Sequence, residues 1–387
     1  MTNPAPHAPN AEPMDAEAPE QASARRVALL AGGTLGHMMP AAALADALRA
    51  RGVEVSLVTD PRGARFPVMT DLPRMVLNAH SHMGGGLIGK TRAVWSVFTS
   101  LVQVRRAWIT TPVDAVVGFG GYPTMPGLLA ARTRAIPAMV HEQNAVLGRV
   151  NRWMAPKTAG VALGLPDTRR VPLGVPTLAT GNPVGGAVAR LADRPYPVPK
   201  GTGPVRLMVL GGSQGARILS DVVPTALSRL DDSLRQRLNV VHQARPEDVA
   251  RVEGTYTAAG IDADVRAFFQ DVPERLADTH LVICRAGAST LAEVTALGRP
   301  AILVPLRVAA DDHQRFNAER LVRAGGGWML TEDAFTADAL VHRVADLIAA
   351  PDILARAATA SASLAAPDAA SKLADMTETL IQRGRIT

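Results

Sequence analysis

The sequence predicts an α/β protein made of two doubly wound domains whose parallel sheets face each other across a cleft. The chain has 387 residues, and a single core seldom grows beyond about 250–300 residues. Two stretches, one near the start and one in the middle, share the order strand, glycine-rich turn, helix. Short β-branched runs alternate with helical patterns in both halves, which is typical of parallel sheets covered by helices.

Each half opens with the same three elements. In the first half, an apolar run over residues 26–30 leads into Gly32–His37 and then into a helical pattern. In the second half, the run over residues 205–210 leads into Gly211–Arg217 and another helical pattern. Ligands of such sheets bind outside the carboxyl ends of the strands, where these turns lie. Later strands are predicted from further apolar runs at Val113–Val117, Pro137–Val140, Leu238–Val241, Leu281–Cys284 and Ala301–Val304.

Composition sets the domain boundaries. Prolines cluster with glycines over residues 183–204, which predicts a semi-rigid linker. The first domain then spans residues 25–182 and the second 205–367, and a last helix over about 368–385 is expected to pack back on the first domain. Residues 1–24 are rich in Ala, Pro and Glu and have few large apolar side chains, so they are predicted to be disordered.

Charge and cysteine content exclude several function classes. The formal net charge is +6, and because residues 1–24 hold four acidic and no basic residues, the rest of the chain carries +10. A basic body permits nucleic acid, an anionic membrane surface or phosphorylated ligands as partners. The single cysteine, Cys284, excludes a disulfide framework and a multi-cysteine metal site, and its apolar neighbours favour a buried strand residue. Neither a membrane span nor a secretory signal is predicted.

The two glycine-rich turns predict anion binding. A turn that opens a helix offers unpaired N–H groups and the positive end of the helix dipole, so the pair suits a diphosphate. Neither turn matches a dinucleotide fingerprint, because Ala31 and Leu210 stand where its first glycine belongs. Neither has the Lys-Ser or Lys-Thr of a Walker loop. Asp60, near the end of the second strand, could hold a ribose and keeps a Rossmann-type oxidoreductase as a weaker alternative.

A third loop, Arg285–Glu293, follows the predicted strand Leu281–Cys284. A helix is expected to begin near Ser289 or Thr290, which places further free N–H groups at the cleft. Glu293 has two interpretations within the first turn of that helix. Its carboxylate accepts hydrogen bonds from both hydroxyls of a ribose, or it closes a capping box with Thr290.

Seven short motifs follow one another along the chain: Gly32–His37, Gly118–Tyr122, His141–Asn144, Gly181–Val184, Gly211–Arg217, Arg285–Glu293 and Asp312–Ala318. In order and spacing they resemble the MurG family of bacterial N-acetylglucosaminyltransferases, glycosyltransferase family 28. The resemblance runs from about Arg26 to the final helix. It implies a GT-B fold, in which two Rossmann-like domains with parallel sheets face a cleft.

The resemblance also implies an activity and its residues. N-acetylglucosamine would pass, with inversion, from UDP-N-acetylglucosamine to the 4-hydroxyl of lipid I (undecaprenyl-pyrophosphoryl-N-acetylmuramyl-pentapeptide), which gives lipid II for peptidoglycan synthesis. The nucleotide-binding residues implied, with the Phe269 ring against uracil, are Ser213, Phe269, Ala288, Ser289, Thr290, Leu291 and Glu293. The residues implied to hold the sugar are Asn144, His313 and Gln314, and those that close the cleft from the first domain are Thr34, Leu35 and Gly36. The ribose role of Glu293 is thereby preferred to the capping box.

The transfer needs a base for the attacking hydroxyl. His37 is the first candidate, because an imidazole titrates near neutral pH; its alternative role is to cap or orient its own loop. Glu142, in a loop after a strand, is the second candidate. The dipeptide His141-Glu142 is not a zinc motif, because Ala145 stands where the second histidine belongs.

Two positions depart from the family pattern. Leu35 replaces a usual glycine in the first loop, where the backbone approach is expected to differ. Gly185 stands where the family usually has an arginine that helps to hold the diphosphate. Either Arg190, one helical turn on, or Arg217 supplies that charge, or the affinity for the nucleotide is weaker.

No metal or other cofactor is expected. Asp262-Ala263-Asp264 fits the Asp-x-Asp pattern with which transferases of the other common fold hold a divalent ion. It precedes a predicted strand, so it lies at the wrong end of the sheet for the cleft and is interpreted as a solvated turn. Helix N-termini and cationic side chains must then stabilise the departing diphosphate.

A membrane-facing surface is predicted between Asp71 and Asp114, a stretch with basic but no acidic residues. Apolar residues recur there at helical spacing, after glycines at 84–86. These apolar residues form a stripe along one face of the predicted helix, and most of the stripe is expected to pack on the sheet of its own domain. The residues expected to contact an anionic membrane surface are Trp95, Phe98, Lys90 and Arg92.

Two other functions compete with the transferase: another UDP-sugar enzyme of GT-B fold, such as a 2-epimerase or glycolipid synthase, and an inactive UDP-sugar-binding protein. The expected partners are UDP-N-acetylglucosamine, lipid I, the anionic membrane surface and other proteins of cell-wall synthesis and division. Nucleic acid is not expected, because the sequence has no recognised binding fold and no basic patch with interleaved aromatic residues. The expected place of action is the cytoplasmic face of the bacterial inner membrane, where the protein would be peripheral.

Overall fold

The computed structural model describes residues 25–77, 86–212 and 215–384. Three predicted features lie outside these ranges: the acidic tail over residues 1–24, Ser213, and the first two of the glycines at 84–86. Among the helices in the described ranges, none is both long and apolar enough to cross a membrane.

The first sheet is entirely parallel, with strand order β3-β2-β1-β4-β5-β6-β7. Its strands are β1 (Arg26–Leu30), β2 (Glu54–Thr59), β3 (Arg74–Val76), β4 (Ala115–Gly118), β5 (Ala138–Glu142), β6 (Val161–Leu163) and β7 (Thr177–Ala179). Its helices are α1 (Leu35–Arg49), α2 (Gly86–Thr110), α3 (Thr124–Thr133) and α4 (Arg149–Met154). In β1, Val27 and Leu29 join one apolar core while Ala28 and Leu30 join another on the opposite face. Burial on both faces explains why this strand is a continuous apolar run.

The second sheet is also parallel, with order β10-β9-β8-β11-β12-β13. Its strands are β8 (Val205–Leu210), β9 (Leu238–Gln243), β10 (Asp262–Arg266), β11 (Leu281–Cys284), β12 (Ala301–Leu303) and β13 (Gly327–Met329). The remaining helices are α5 (Gly186–Leu191), α6 (Arg217–Leu227), α7 (Asp232–Arg235), α8 (Val249–Ala258), α9 (Val272–Ala277), α10 (Ala288–Ala296), α11 (His313–Arg323), α12 (Ala337–Ala349), α13 (Pro351–Ala362) and α14 (Ala369–Gly384). The predicted α/β class with two parallel sheets is confirmed.

In both sheets the order in which successive strands are added reverses beside the first strand, since β1 lies between β2 and β4 and β8 lies between β9 and β11. Crevices open at such reversal points, outside the carboxyl ends of the strands. The loops after β1, β4, β5, β11 and β12 therefore line the site. Cys284 ends β11 and is fully buried, and burial raises the pKa of its thiol to about 12. This places the cysteine in the core, as predicted.

The stretch predicted as a linker, residues 183–204, is not wholly irregular. It contains α5, whose Val188 is buried in the core of the second domain with Met208 and Leu210. Val184 and Leu191 pack against the same core, so apolar residues at helical spacing anchor this stretch despite its prolines. The first part of the linker thus belongs structurally to the second domain.

Helix α14 returns to the first domain. Its Leu373 and Ile381 are buried in the first-domain core, and Arg51 pairs with Asp375 at 2.6 Å and with Glu378 at 2.7 Å. The chain therefore crosses between the domains twice. The two crossings touch at Gly181, where the backbone has φ 86° and a side chain would collide with Ala366.

Candidate functional site

The buried carboxylate of Asp60 holds the first glycine-rich loop in place by hydrogen bonds. The backbone N–H groups of Gly33 and Gly63 each donate to Asp60 Oδ1 at 2.8 Å, and Asp60 is 1% exposed. Gly33 has φ 79°, a conformation that favours glycine. Because Asp60 is buried under the loop, it is not available to hold a ribose, and the dinucleotide alternative loses its acidic residue.

His37 lies in the first turn of α1. Its Nδ1 is 3.1 Å from the carbonyl oxygen of Gly32 and 3.3 Å from the hydroxyl oxygen of Thr34. A carbonyl oxygen only accepts hydrogen bonds, so Nδ1 carries the hydrogen and Nε2 keeps the lone pair. One ring nitrogen therefore orients the loop, and the other stays available as a base.

Two glycines after β4 lie against the His37 ring. Gly120 and Gly121 have φ 89° and 78°. A β-carbon on Gly120 would lie 3.5 Å from His37 Nε2, and one on Gly121 would lie 3.4 Å from the ring carbon Cε1. The imidazole thus bridges the loops after β1 and β4 at the carboxyl edge of the first sheet.

The pKa of His37 is lowered, chiefly because the ring is buried. The positive form of His313 lowers the pKa further, which means that the second domain reaches this ring. The charges of Glu142 and Asp60 act in the opposite direction without cancelling the effect of burial. The ring is therefore neutral at neutral pH, the form that accepts a proton.

Glu142 ends β5 and is 2% exposed. Its Oε1 accepts from the backbone and side-chain nitrogens of Asn144 at 3.1 and 3.0 Å. Its Oε2 accepts from the Gly148 backbone at 2.8 Å and from Asn151 Nδ2 at 2.9 Å. Four donors occupy this carboxylate, so the geometry favours a positioning role in the loop that follows β5 over proton abstraction.

Asn144 and Asn317 join the two domains beside this carboxylate. Asn317, on α11, donates from Nδ2 to Asn144 Oδ1 and to the Ala286 carbonyl, each at 3.1 Å. Its Oδ1 accepts from the Ala145 backbone at 2.8 Å. Asn317 is 2% exposed. The predicted sugar-binding residue Asn144 is thus fixed by a buried amide of the second domain.

The loop after β11 differs in detail from its prediction. Helix α10 begins at Ala288 with Gly287 as its N-cap, and no side chain caps it. The capping-box interpretation of Glu293 is therefore wrong, because Thr290 is the third residue of the helix and not its cap. The extended backbone of Gly287 makes the earlier start possible. Burial raises the pKa of Glu293 to about 7.

Two hydrogen bonds join the start of α10 to residues of the predicted first domain. The hydroxyl of Ser289 donates to the Gly36 carbonyl at 3.3 Å, and Asn182 Nδ2 donates to the Ala288 carbonyl at 3.1 Å. The start of α10 therefore lies against the first glycine-rich loop. The N-terminus of α10 and the imidazole of His37 are brought to the same cleft.

His313 and Gln314 begin α11 on the far side of the cleft. His313 Nδ1 donates to the Ala310 carbonyl at 2.8 Å. Gln314 Oε1 accepts from the Leu306 backbone at 3.0 Å, which leaves its amide hydrogens for a ligand hydroxyl. Both side chains are thus oriented by the loop that precedes them.

Two residues predicted to contact the nucleotide, Phe269 and Leu291, are buried. The Phe269 ring is 3% exposed, with the guanidinium groups of Arg275 and Arg266 over it at 4.8 and 5.5 Å. Its neighbour Phe268 is 56% exposed. Leu291 is buried in the second-domain core. The contact of the Phe269 ring with uracil remains a prediction.

Comparisons with known proteins identify the family. The profile of the glycosyltransferase family 28 N-terminal domain matches residues 27–163, and that of the C-terminal domain matches residues 206–373. The chain belongs to glycosyltransferase family 28.

Curated relatives of this family 28 chain share one printed name, UDP-N-acetylglucosamine--N-acetylmuramyl-(pentapeptide) pyrophosphoryl-undecaprenol N-acetylglucosamine transferase. The protein of Granulibacter bethesdensis is 47% identical over 365 residues, which cover 93% of this chain and 95% of the relative. That of Caulobacter vibrioides is 43% identical, with 90% and 97% covered.

Solved structures agree on the fold. MurG of Acinetobacter baumannii is 28% identical with a TM-score of 0.73, and the match covers 92% of this chain and 99% of that one. UDP-N-acetylglucosamine 2-epimerase of Neisseria meningitidis, at 12% identity and a TM-score of 0.62, shares the fold alone. The predicted GT-B fold is confirmed.

The two departures from the family 28 pattern have structural explanations. Leu35 is the first residue of α1 and packs against the first-domain core, so a side chain is accommodated without a left-handed backbone. Gly185 is the N-cap of α5. A β-carbon on Gly186 would lie 3.5 Å from Arg190 Nη1, which shows that the Arg190 guanidinium folds back to the start of this helix. Arg217 instead pairs with Asp221 at 3.5 Å.

The Asp-x-Asp sequence of this family 28 chain was predicted to be a turn, and that prediction is wrong. It forms the start of the edge strand β10. Asp262 accepts from Asn239 at 2.6 Å, and Asp264 pairs with Arg266 at 2.7 Å and Arg275 at 2.9 Å. Pairing with β9 extends the strand over these residues. They lie at its amino end, away from the cleft, as predicted. Within the described ranges, no group of three or more His, Cys, Asp or Glu could hold a metal ion.

Proposed function

We propose that this chain transfers N-acetylglucosamine from UDP-N-acetylglucosamine to the 4-hydroxyl of a lipid-linked N-acetylmuramyl-pentapeptide, with inversion and without a metal ion. The observation that carries the proposal is the meeting of His37, with Nε2 unprotonated, and the N-terminus of α10 in one cleft. A base and an anion-binding helix end are the two groups that such a transfer requires. The printed names of the relatives supply the donor and the acceptor.

In the proposed reaction, the acceptor hydroxyl loses its proton to His37 Nε2 while its oxygen bonds to the anomeric carbon from the face opposite UDP. The bond between that carbon and the diphosphate oxygen breaks, and UDP leaves. Free N–H groups at the start of α10 receive the charge that develops on the diphosphate. The negative charge of Glu142, which acts on the His37 ring, stabilises the imidazolium that forms.

The direct test follows radiolabel from UDP-N-acetylglucosamine into a lipid I analogue. We expect transfer by the full chain, and we expect the rate to be unchanged by a chelator. Release of UDP without acceptor, or epimerised sugar, would identify another UDP-sugar enzyme of the same fold. Binding of UDP-N-acetylglucosamine without either reaction would identify an inactive binding protein.

We expect Arg190 to supply the cation that the family usually places at Gly185. Arg190→Ala should raise the KM for UDP-N-acetylglucosamine about tenfold, because a charge-assisted hydrogen bond contributes about 1.5–3 kcal/mol. Steady-state kinetics with varied donor measures the effect. Arg217→Ala is the matched control and should leave that KM unchanged. The reverse pattern would assign the role to Arg217.

The proposed membrane surface lies on α2. Val94, Trp95, Phe98 and Ile109 are all more than half exposed, and the rings of Trp95 and Phe98 lie 5.8 Å apart. Val104 and Trp108 on the same helix are buried in the first-domain core, which agrees with the prediction that most of the stripe packs on the sheet. Arg92 is exposed; the side chain of Lys90 lies outside the described part. We propose that this edge holds the protein on the cytoplasmic face of the membrane.

Replacing both Trp95 and Phe98 by serine should weaken binding to anionic vesicles about tenfold or more, since burial of each ring contributes about 1.5–3 kcal/mol. Higher salt should also weaken binding by the parent protein, because each basic residue near an anionic surface adds ~1 kcal/mol that ions screen. Vesicle cosedimentation measures both effects. Leu178→Ser, at an exposed position on β7, is the control. Equal binding of the parent to neutral and anionic vesicles would contradict the proposed contribution of the basic residues to membrane binding.

A further inference from the structure

A cluster of three arginines from the first domain surrounds one aspartate of the second. Asp311 pairs with Arg170 at 2.6 Å, with Arg152 at 3.4 Å and with Arg149 at 3.7 Å. We name these four residues the Asp311 cluster. Its arginines have side-chain exposures of 51%, 33% and 63%, in the same order. One carboxylate cannot neutralise three guanidinium groups, and the cluster keeps a net charge of two positive units.

Two members of the cluster, Arg170 and Asp311, and the neighbouring Asp312 have a left-handed backbone. Arg170, Asp311 and Asp312 have φ of 62°, 53° and 58°. Apart from glycines, only Met69 and Ala135 share such values among the described residues. Left-handed backbone at residues with a side chain tends to occur where function requires it. A simple ion pair on a surface needs no such backbone.

The cluster borders the proposed reaction centre on both sides of the cleft. Arg149 directly follows Gly148, whose N–H donates to Glu142 Oε2 at 2.8 Å. Asp311 lies two residues before His313, and the charge of His313 acts on the ring of His37. The cluster therefore lies on the two loops that carry Glu142 and His313, the charged groups that act on the His37 ring.

A second ion pair between the domains provides a contrast. Asp167 of the first domain pairs with Arg320 at 3.0 Å and with Arg323 at 3.4 Å. None of these three residues has a left-handed backbone. The contact can serve closure of the domains alone, so closure by itself does not account for the features of the Asp311 cluster.

We propose that Arg149, Arg152 and Arg170 form a subsite for an anionic group of the acceptor, and that Asp311 is the internal anion that the substrate displaces. This inference rests on the proposed function. Guanidinium groups bind carboxylate and phosphate oxygens with comparable geometry. The relatives' printed name includes both kinds of group, a pentapeptide and a pyrophosphoryl link. The shared chemistry is an oxyanion held by two or three guanidinium groups.

The charge of Asp311 also fits an exchangeable role. Burial alone would raise the pKa of this carboxyl, but the hydrogen bond and charge of Arg170 and the charges of Arg149 and Arg152 outweigh burial. The pKa lies below its usual value, so Asp311 is ionised at neutral pH and competes with a substrate anion. Removing its charge should therefore favour the substrate.

The test compares substitutions with opposite expected effects in steady-state kinetics of the full chain. Arg170→Gln should raise the KM for a water-soluble lipid I analogue about tenfold, with kcat and the KM for UDP-N-acetylglucosamine little changed. Arg170→Lys should recover part of the loss. Asp311→Asn should lower the acceptor KM by about threefold, and asparagine tolerates the left-handed backbone as well as aspartate does. Thermal melting checks that each variant is folded.

Two matched controls separate the subsite from closure and from general charge. Asp167→Asn removes the contrasting ion pairs with Arg320 and Arg323, and Arg229→Gln removes an exposed pair with Asp338 at 2.6 Å. Neither should change the acceptor KM. The proposal is overturned if Asp311→Asn and Arg170→Gln raise the acceptor KM together, or if Asp167→Asn acts as Asp311→Asn does.

Two further arms identify the anion and separate this proposal from the proposed function. If the effect of Arg170→Gln disappears with an acceptor whose peptide carboxylates are amidated, the group is a carboxylate; if it persists, the group is the pyrophosphate. If the parent transfers no sugar to the acceptor, the proposed function fails. Calorimetric binding of inorganic pyrophosphate and of the free pentapeptide to the parent and to Arg170→Gln then tests the subsite alone. Equal binding of each probe by the two proteins would overturn it.

Discussion

His37→Ala should lower kcat by a factor of about 10²–10⁴, the range that general base catalysis contributes. The donor KM should change little, because the contacts proposed for the nucleotide come from the second domain. Nε2 is the only ring nitrogen left to take a proton, since Nδ1 lies 3.1 Å from the Gly32 carbonyl oxygen. Transfer of radiolabel to a lipid I analogue, with donor and acceptor each varied, measures the effect. Near-full turnover by His37→Ala would falsify the assignment of the base.

The pH profile of kcat/KM gives an independent check. The base is the neutral imidazole, and burial holds the pKa of His37 below its ordinary value of 6.5. Activity should therefore be flat near neutral pH and should fall as the pH drops through that lowered pKa. The residual activity of His37→Ala should lack this acidic limb. A parent profile that rises between pH 7 and 9 would point to a different base.

Glu142 provides the informative comparison. Its carboxylate accepts four hydrogen bonds, so Glu142→Ala leaves buried donors without an acceptor and should lower both the melting temperature and kcat. Glu142→Gln keeps the size of the side chain and one acceptor oxygen, and it loses the negative charge. This variant should therefore melt closer to the parent than Glu142→Ala does. The acidic limb of the pH profile should persist in Glu142→Gln, because His37 is still present. Its loss there would assign the titrating group to Glu142.

The fold was predictable because its signals are local. Strands such as β1 and β11 are buried on both faces, so each is a continuous apolar run, and the turns after β1 and β8 contain glycines with positive φ at Gly33 and Gly212. Boundaries were less predictable. Helix α10 begins at Ala288, directly after its N-cap Gly287 and before the hydroxyl residues that usually mark a helix start. The prolines around α5 obscured the apolar spacing that anchors that helix.

The candidate site was predictable where a motif carries its residues and unpredictable where the domains meet. Asn317 and Asn182 lie inside recognised motifs, yet only the structure shows that they bind the backbone of the opposite part of the cleft. Asn151 lies in no motif, and its bond to Glu142 depends on how the chain folds after β5. The Asp311 cluster joins residues more than a hundred positions apart, so no pattern along the sequence could reveal it.

Glu293→Gln should weaken UDP binding by about 10- to 100-fold, because a hydrogen bond to a charged group contributes about 1.5–3 kcal/mol. Glu293 lies on α10, close to the helix start that is proposed to receive the diphosphate, and among the described residues no hydrogen bond or ion pair engages its carboxylate. Two ribose hydroxyls are donors that fit such an acceptor. Isothermal titration with UDP measures the affinity. Glu253→Gln, at an exposed position on α8, is the control and should bind as the parent does.

The pH dependence of the same titration distinguishes the ribose role from a general loss of packing. The pKa of Glu293 lies at about 7 in the free protein, and the ribose hydroxyls require the ionised form. Below pH 7 the parent must therefore lose a proton to bind, and its affinity should fall by about tenfold for each further unit. Glu293→Gln has no such proton to lose. The ratio of the two affinities cancels the titration of UDP itself, and a ratio independent of pH would contradict the assignment.

Stability should change in the opposite direction from binding. A carboxyl whose pKa is raised in the folded state binds more protons there than in the unfolded chain, so stability falls as the pH rises from the ordinary value of 4.5 to about 7. Glu293→Gln cannot ionise and should melt at a higher temperature than the parent at pH 8, with a smaller difference at pH 4. A residue that lowers stability while it strengthens ligand binding is expected at a binding site and not in a structural role. If Glu293→Gln melted below the parent at pH 8, the carboxylate would be supporting the fold instead of the nucleotide.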